Sequence, residues 1–207
     1  HLAAIVPTIK VIKNKKKSIN VNYKGTINLY KSIAELNKDI WFFFASTSHV
    51  YKPQTNLLKE NDKLKPSSFY GKTKLMSENF LLKKKDKNIK ICIGRIFSIF
   101  HKKQKKPYFY PMMISKYKNK SNIKNDYILK GGNSLRDFSN AETVAKIIFK
   151  LSQKKISGII NIGSGKKISL LDFVNKYINK NVKIKSTGKY NTIAANISKL
   201  KKFLFIK

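Results

Sequence analysis

The chain has 207 residues, 42% of them hydrophobic and 12% aromatic. That is enough apolar material for one domain, or one domain with a small lobe, around a sizeable core, and it excludes a disordered chain. Lysine and arginine number 45 against 10 acidic residues, a formal net charge of +35, which taken alone points to nucleic acid or an anionic membrane. Yet Arg95 and Arg136 are the only arginines, and the lysines scatter through every segment. This is the pattern of solvated loops and helix ends, not of a dedicated phosphate-reading patch. The lone Cys92 excludes an intramolecular disulfide, argues against a cysteine-based metal cluster, and fits a reducing cytoplasm. The longest apolar stretch, residues 40–45, is far too short to cross a bilayer. The chain opens on His1, and we expect it to be part of a longer protein, so that a targeting segment ahead of it is not judged from these residues.

Residues 22–36 place Tyr23, Thr26, Ile27, Tyr30, Ile33 and Ala34 at helical spacing, which predicts a crossover helix. The aromatic run 40–45, closed by a Ser/Thr cluster, predicts a buried strand of a parallel sheet. A polar loop with Pro53 and Pro66 leads to a predicted helix over 68–84, with Ser67 or Ser68 as its N-cap. A second strand is expected over 89–96. The order helix, strand, helix, strand is that of a doubly wound α/β domain. Beyond Phe100 come a basic, aromatic loop over 101–110, a helical stretch near 112–117 and a short strand at 127–130. Helices are predicted over 140–151 and 170–178 with a strand at 158–162 between them, and a short helix over 196–205. We read residues 1–100 as belonging to the sheet domain and 101–207 as mainly a smaller lobe, with 135–165 returning to the sheet.

Tyr70 and Lys74 stand four residues apart on the predicted helix, so their side chains share a face one turn apart. A tyrosine, with an unperturbed pKa of about 10, is too weak a base near neutrality, and a neighbouring ammonium favours its phenolate. Such a phenol can take a hydroxyl proton as hydride leaves the same carbon, or return it. The strand ending at Ala45 runs into Ser46-Thr47-Ser48, placing hydroxyls at the carboxyl edge of a parallel strand, where open α/β sheets bind ligands.

These residues form part of an ordered series: His1-Leu2-Ala3-Ala4; Asn22 with Gly25-Thr26; Ala45-Ser46-Thr47-Ser48-His49-Val50-Tyr51; Pro66 leading to Tyr70 and Lys74; Gly94-Arg95-Ile96-Phe97-Ser98; Leu135-Arg136-Asp137-Phe138; and Asn161-Ile162-Gly163-Ser164-Gly165 followed by Leu170. The series resembles the extended short-chain dehydrogenase/reductase family over nearly the whole chain. The resemblance implies a Rossmann-like doubly wound sheet with a small C-terminal substrate-binding lobe, NAD or NADP as cofactor, a nucleotide-diphosphate sugar as substrate, and a homodimer through the helices at 22–36 and 68–84. It further implies Thr47, Tyr70 and Lys74 as the catalytic set, with Lys74 lowering the tyrosine pKa and holding the nicotinamide ribose. Ala3, Ala4, Asn22, Ser46 and Phe97 join Tyr70 and Lys74 around the cofactor, and Thr47, Ser98 and Arg136 face the substrate. For Asn22 the alternative is a buried polar group that anchors its helix. Arg136 corresponds to the family arginine that pairs with the diphosphate; an ion pair with Asp137 or Glu142 is the structural alternative.

Departures from the family pattern also matter. Ser98 stands where relatives have asparagine, Lys52 where they have glycine, and Lys185 or Lys189 where a second diphosphate cation is expected. His49 reads as a supporting histidine. No Gly-x-x-Gly-x-x-Gly turn precedes a strand and helix, and Gly163-Ser164-Gly165 lies too late in the chain to serve; the first βαβ half is therefore expected to lie upstream. The 4,6-dehydratases of the family carry Thr-Asp-Glu where this chain has Thr47-Ser48-His49, which disfavours dehydration. The expected activity is therefore 4-epimerisation or 4-keto reduction. The alternative is a non-catalytic RNA-binding relative, favoured by the charge and disfavoured by the joint presence of Thr47, Tyr70 and Lys74.

Overall fold

The computed structural model describes residues 1–6, 8–120 and 127–204. In chain order the elements are α1 (Thr8–Lys13), α2 (Lys15–Ile19), a π-helical turn (Asn20–Lys24), α3 (Gly25–Glu35), β1 (Ile40–Thr47), a 3-10 turn (Ser48–Val50), α4 (Phe69–Leu82), β2 (Ile89–Ile96), β3 (Ser98–Phe100), α5 (Phe109–Tyr117), β4 (Tyr127–Lys130), β5 (Leu135–Arg136), β6 (Phe138–Asn140), α6 (Ala141–Gln153), β7 (Gly158–Ile162), β8 (Ile168–Ser169), α7 (Leu170–Tyr177), β9 (Ile184–Thr187), β10 (Thr192–Ile193) and α8 (Ser198–Leu204). The predicted helix over 196–205 corresponds to α8; its last expected position, Phe205, lies outside the described residues.

A parallel sheet in the order β1-β2-β7 organises the domain, with Ile40 opposite Ile89 through Thr47 opposite Ile96, and Cys92 opposite Gly158 through Ile96 opposite Ile162. Because successive strand residues face opposite sides, Phe42 and Phe44 pack with Tyr30, Leu81 and Ile93 under α3 and α4, while Phe43 packs with Cys92, Val144, Leu151, Ile160 and Leu200 under α6 and α8. Both faces are thus covered by helices, as an α/β sheet with buried strands requires. Residues 1–6 run alongside β1, where the Ala45 N–H donates to the His1 carbonyl at 3.2 Å.

Two expectations need correction. The helix expected over 22–36 is the end of a longer helical run from Thr8, interrupted by the π-helical turn at Asn20–Lys24. The lysines at 13 and 15–17 mask the apolar spacing there, although Val11 is fully buried and Asn14 caps α2 by accepting from the Lys17 N–H at 2.9 Å. Of the segment 135–165, β7 joins the main sheet and α6 packs on it, whereas β5 lies between β10 and β8 and β6 pairs with β3. These short pairings, with β4 and β9, build the smaller lobe around Met113, Tyr117, Leu129, Val174 and Val182. Strands of two or three residues leave no periodicity to read.

Gly94 shows how closely the sheet packs. A Cβ there would stand 2.5 Å from the Phe43 ring and 2.9 Å from Ile162 Cδ1, and both neighbours are buried. Gly94→Ala is therefore expected to destabilise the domain by about 1–3 kcal/mol through overpacking, measured as a lower midpoint with an unchanged slope in urea unfolding. A midpoint equal to that of the parent would contradict this packing.

Candidate active site

The site begins with a helix start. Ser68 caps α4 by accepting from the Gly71 N–H at 3.1 Å, and the first turn then presses on the 48–50 turn so closely that a Cβ on Gly71 would overlap the His49 carbonyl. Glycine permits that approach. It brings the Tyr70 ring edge-on to His49, with centroids 6.0 Å apart, over the carboxyl end of β1. One turn later the Lys74 ammonium donates to the Ala45 carbonyl at 2.8 Å and lies 4.6 Å above the Phe44 ring. Thr47, Tyr70 and Lys74 are all buried, at 6%, 9% and 2% exposure.

Around them opens a cleft of about 790 Å³. It is lined by Leu2, Ala4 and Val6 of the first segment, by the 45–49 stretch with Tyr70 and Lys74, and by Phe97, Ser98, Gln104, Tyr108 and Arg136. Of the residues singled out in the sequence, Ala4, Ser46, Thr47, Tyr70, Lys74, Phe97, Ser98 and Arg136 line this cleft together.

Two do not. Ala3 is exposed and does not line the cleft. Asn22 is buried as a clamp: its carbonyl oxygen accepts from the Ile5 N–H at 2.7 Å, and its amide donates to the Ile5 carbonyl at 3.0 Å and to Thr73 Oγ1 at 3.2 Å. Asn22 therefore fastens the 1–6 segment, which carries Ala4, to α4. Ser46 reaches the cleft, but its hydroxyl donates to Glu78. Neither Lys185 nor Lys189 lines the cleft.

The electrostatics differ from the expectation for the tyrosine. Burial, reinforced by Tyr108, raises the Tyr70 pKa to about 12, and the Thr47 side chain pulls the other way. Lys74 does not lower it in this state, because the ammonium is held by Ala45 and is itself lowered to about 8 by burial, with Glu78 opposing. Tyr70 is accordingly a protonated phenol in the free protein. Burial, with a smaller push from the Arg136 guanidinium, also lowers the pKa of His49, so the imidazole adds no charge to the cleft near neutrality.

Among the described residues Arg136 has no carboxylate partner. Its Nη1 donates to the Leu135 and Asn191 carbonyls at 2.8 and 3.0 Å. Asp137 accepts instead from the Ser164 and Gly165 N–H groups at 2.7 and 2.8 Å, and Glu142 meets His101 at 3.3 Å. The ion pairs considered for Arg136 are therefore absent among the described residues, and a half-buried guanidinium faces the cleft with its charge unmatched. The Gly163-Ser164-Gly165 turn serves to hold Asp137 and hence the strand beside it; a Cβ on Gly163 would come within 2.6 Å of Asp137 Oδ2.

Sequence reasoning missed three contributors. Glu78 is fully buried and receives Arg95 through Nη2 at 2.7 Å; its signal was available, since Tyr70, Lys74 and Glu78 follow one another at four-residue spacing on one helix face. Gln104 and Tyr108 come from an aperiodic basic loop that gave no such signal. Among the described residues no group of His, Cys, Asp or Glu could hold a metal ion, and no helix is long and apolar enough to cross a membrane.

A family model described as GDP-mannose 4,6 dehydratase matches residues 1–204. A protein of Methanocaldococcus jannaschii provisionally named as UDP-glucose 4-epimerase is 30% identical over 82% of this chain and 56% of its own length. An uncharacterized UDP-glucose epimerase of Bacillus subtilis is 29% identical over 79% of this chain and 54% of its own length. The chain thus spans little more than half the length of these relatives. The UDP-glucuronic acid 4-epimerase of Bacillus cereus, solved with UDP-glucuronic acid and NAD, superposes with a TM-score of 0.80 at 26% identity, covering 99% of this chain and 68% of that one. By motif, fold and match, the chain belongs to the extended short-chain dehydrogenase/reductase family, in its NAD-dependent epimerase/dehydratase group.

Proposed function

We propose that this chain supplies the catalytic part of a nucleotide-sugar 4-epimerase that uses NAD or NADP. The observation that carries the reading is the opening of Thr47, Tyr70 and Lys74 onto one cleft that also holds Arg136, which meets no carboxylate among the described residues. The relatives named as UDP-glucose epimerases support it. A 4-keto reductase could use the same residues; a 4,6-dehydratase is disfavoured because Ser48 and His49 follow Thr47 where elimination needs carboxylates.

The residues present fit a nicotinamide cofactor: apolar Leu2, Ala4, Val6 and Phe97 all line the cleft, and the ammonium of Lys74 spends one of its three protons on Ala45. Ala4, Ser46, Lys74, Tyr70 and Phe97 would hold it, with Asn22 acting from behind. When bound, the cofactor supplies the hydride acceptor and, oxidised, a positive charge. Tyr70 takes the proton of the sugar hydroxyl and gives it back, and positive charge beside the phenol favours the phenolate that this requires. Thr47 donates to the phenol oxygen and shares the proton being moved. Lys74 orients a ribose hydroxyl and adds its charge to the floor. Arg136 pairs with the diphosphate, and Ser98, shorter than the asparagine of relatives, leaves room beside the sugar. We also infer a homodimer, supported by the exposed Leu29, Leu36, Met76 and Leu82 on and next to α3 and α4.

Tyr70→Phe is expected to lower kcat by about 10²-fold or more while the dissociation constant for a UDP-sugar, measured by calorimetry, stays within about twofold. Unchanged turnover would remove Tyr70 from the chemistry. Arg136→Gln should weaken UDP-sugar binding by about 10- to 100-fold, the worth of a charge-assisted hydrogen bond, and leave uridine binding unaltered; equal weakening of both ligands would contradict a diphosphate role. Reduced nicotinamide should not accumulate or disappear in stoichiometric amounts during turnover. Consumption of one equivalent per product would identify a reductase instead.

A further inference from the structure

We infer that Lys102, Lys103, Lys105 and Lys106 form a charged rim that draws a nucleoside diphosphate into the cleft, acting on the rate of capture and not on the hold once the ligand is bound. The inference rests on the reading of the cleft as a nucleotide-sugar site and adds the means by which such a ligand reaches it.

The four lysines are exposed and surround Gln104 in the sequence. Gln104 lines the cleft, as do Pro107, Tyr108 and Phe109 just beyond. The loop is tied down: the Gln104 N–H donates to the His101 carbonyl at 2.9 Å, the Lys103 N–H to His101 Nδ1 at 3.2 Å, and the Lys106 ammonium to Ser115 Oγ on α5 at 2.7 Å. Each lysine thus stands one or two residues from a position that lines the cleft. With consecutive Cα atoms about 3.8 Å apart, these charges act within roughly one Debye length of a ligand entering there, about 10 Å at 0.1 M salt.

Little on the protein cancels them. None of the four is in an ion pair among the described residues, and the acid that meets the loop there, Glu142, lies against His101 at 3.3 Å. The cleft itself is of one sign, since its lining includes Lys74 and Arg136 but no aspartate or glutamate. A concave, largely apolar surface with charge of one sign focuses the field and raises the rate at which an oppositely charged ligand arrives. Exposed ammonium groups add little to the hold on a bound ligand, because water and salt screen them. Their effect therefore falls on association. A diphosphate, with several negative charges on one small group, is the ligand this field favours; a neutral sugar or nucleoside gains nothing from it.

The test mixes the protein with UDP carrying a fluorescent methylanthraniloyl group on its ribose and reads association and dissociation separately by stopped flow. In the parent, the association rate constant should fall by about tenfold as salt rises from about 0.02 to about 0.3 M. At about 0.1 M salt, Lys102→Gln, Lys103→Gln, Lys105→Gln and Lys106→Gln combined should slow association by about fivefold or more and leave dissociation within about twofold. Arginine at the same four positions keeps the charge and should keep the parent rate. Lys83, Lys85, Lys87 and Lys90 are also exposed, and Lys90 lies about 20 Å back along β2 from Ile96, which lines the cleft. Changing those four to glutamine removes the same charge and should alter association by less than about twofold. No capture of the probe, association indifferent to salt, an equal loss from the distant set, or a loop variant weakened through faster dissociation overturns the inference. Salt-steep capture in protein that turns over no UDP-sugar would contradict the epimerase reading and leave this result standing; turnover with unsteered capture would do the reverse.

Discussion

The approach of the first turn of α4 to the backbone of His49 is the constraint on which the site depends. Gly71 has no Cβ to block it, and the Lys74 ammonium fastens the next turn to the Ala45 carbonyl. Together they set a phenol and an ammonium over the carboxyl end of a parallel strand, beside the hydroxyl of Thr47. Helix dihedrals and sheet pairing then fix the rest: α4 cannot rotate without moving Leu81 out of the apolar layer it shares with Phe42 and Phe44, and β1 cannot slide without breaking its eight-residue register with β2.

Polar groups behind the floor carry the constraint outward. From Ser46 the chain of contacts passes through Glu78, Arg95 and Tyr51 to Asn161 on β7, whose amide donates to the Leu58 carbonyl at 2.8 Å. A buried network of this kind is stabilising only when every member is satisfied, and its members here are. On the lobe side, Asp137 plays the corresponding part, taking the Ser164 and Gly165 N–H groups, while the neighbouring Arg136 meets no acid among the described residues. The two arginines of this lysine-rich chain thus have opposite situations. Arg95 is paired with Glu78, whereas Arg136 lines the cleft and bonds only to backbone carbonyls among the described residues.

Much of this was legible in the sequence because the elements that bear it have strong periods. The aromatic run 40–45 and the strand 89–96 could only be buried strands, and Tyr70 and Lys74 were read correctly onto one helix face. Asn22 was legible as a polar anchor, but the sequence does not tell a clamp on Ile5 from a contact with cofactor. The helical run before residue 20 was hidden by its lysines, whose long stems cover apolar surface without marking it. The lobe was least legible: its strands are two to four residues long, and Gln104 and Tyr108 reach the cleft from a loop without pattern. Nor could spacing foretell the sign of the Tyr70 shift, since burial outweighs the lysine once its ammonium is committed to a carbonyl.

The central claim is that these groups move a proton at a sugar hydroxyl while hydride leaves and returns to the same carbon. The most direct measurement gives the protein, with cofactor, a UDP-sugar carrying deuterium at C4 and follows the label by NMR in both epimers. The account predicts that the label stays at C4 in the epimerised sugar and that none enters from or escapes to water. Loss of the deuterium to solvent, or epimerisation with solvent hydrogen at C4, would contradict it.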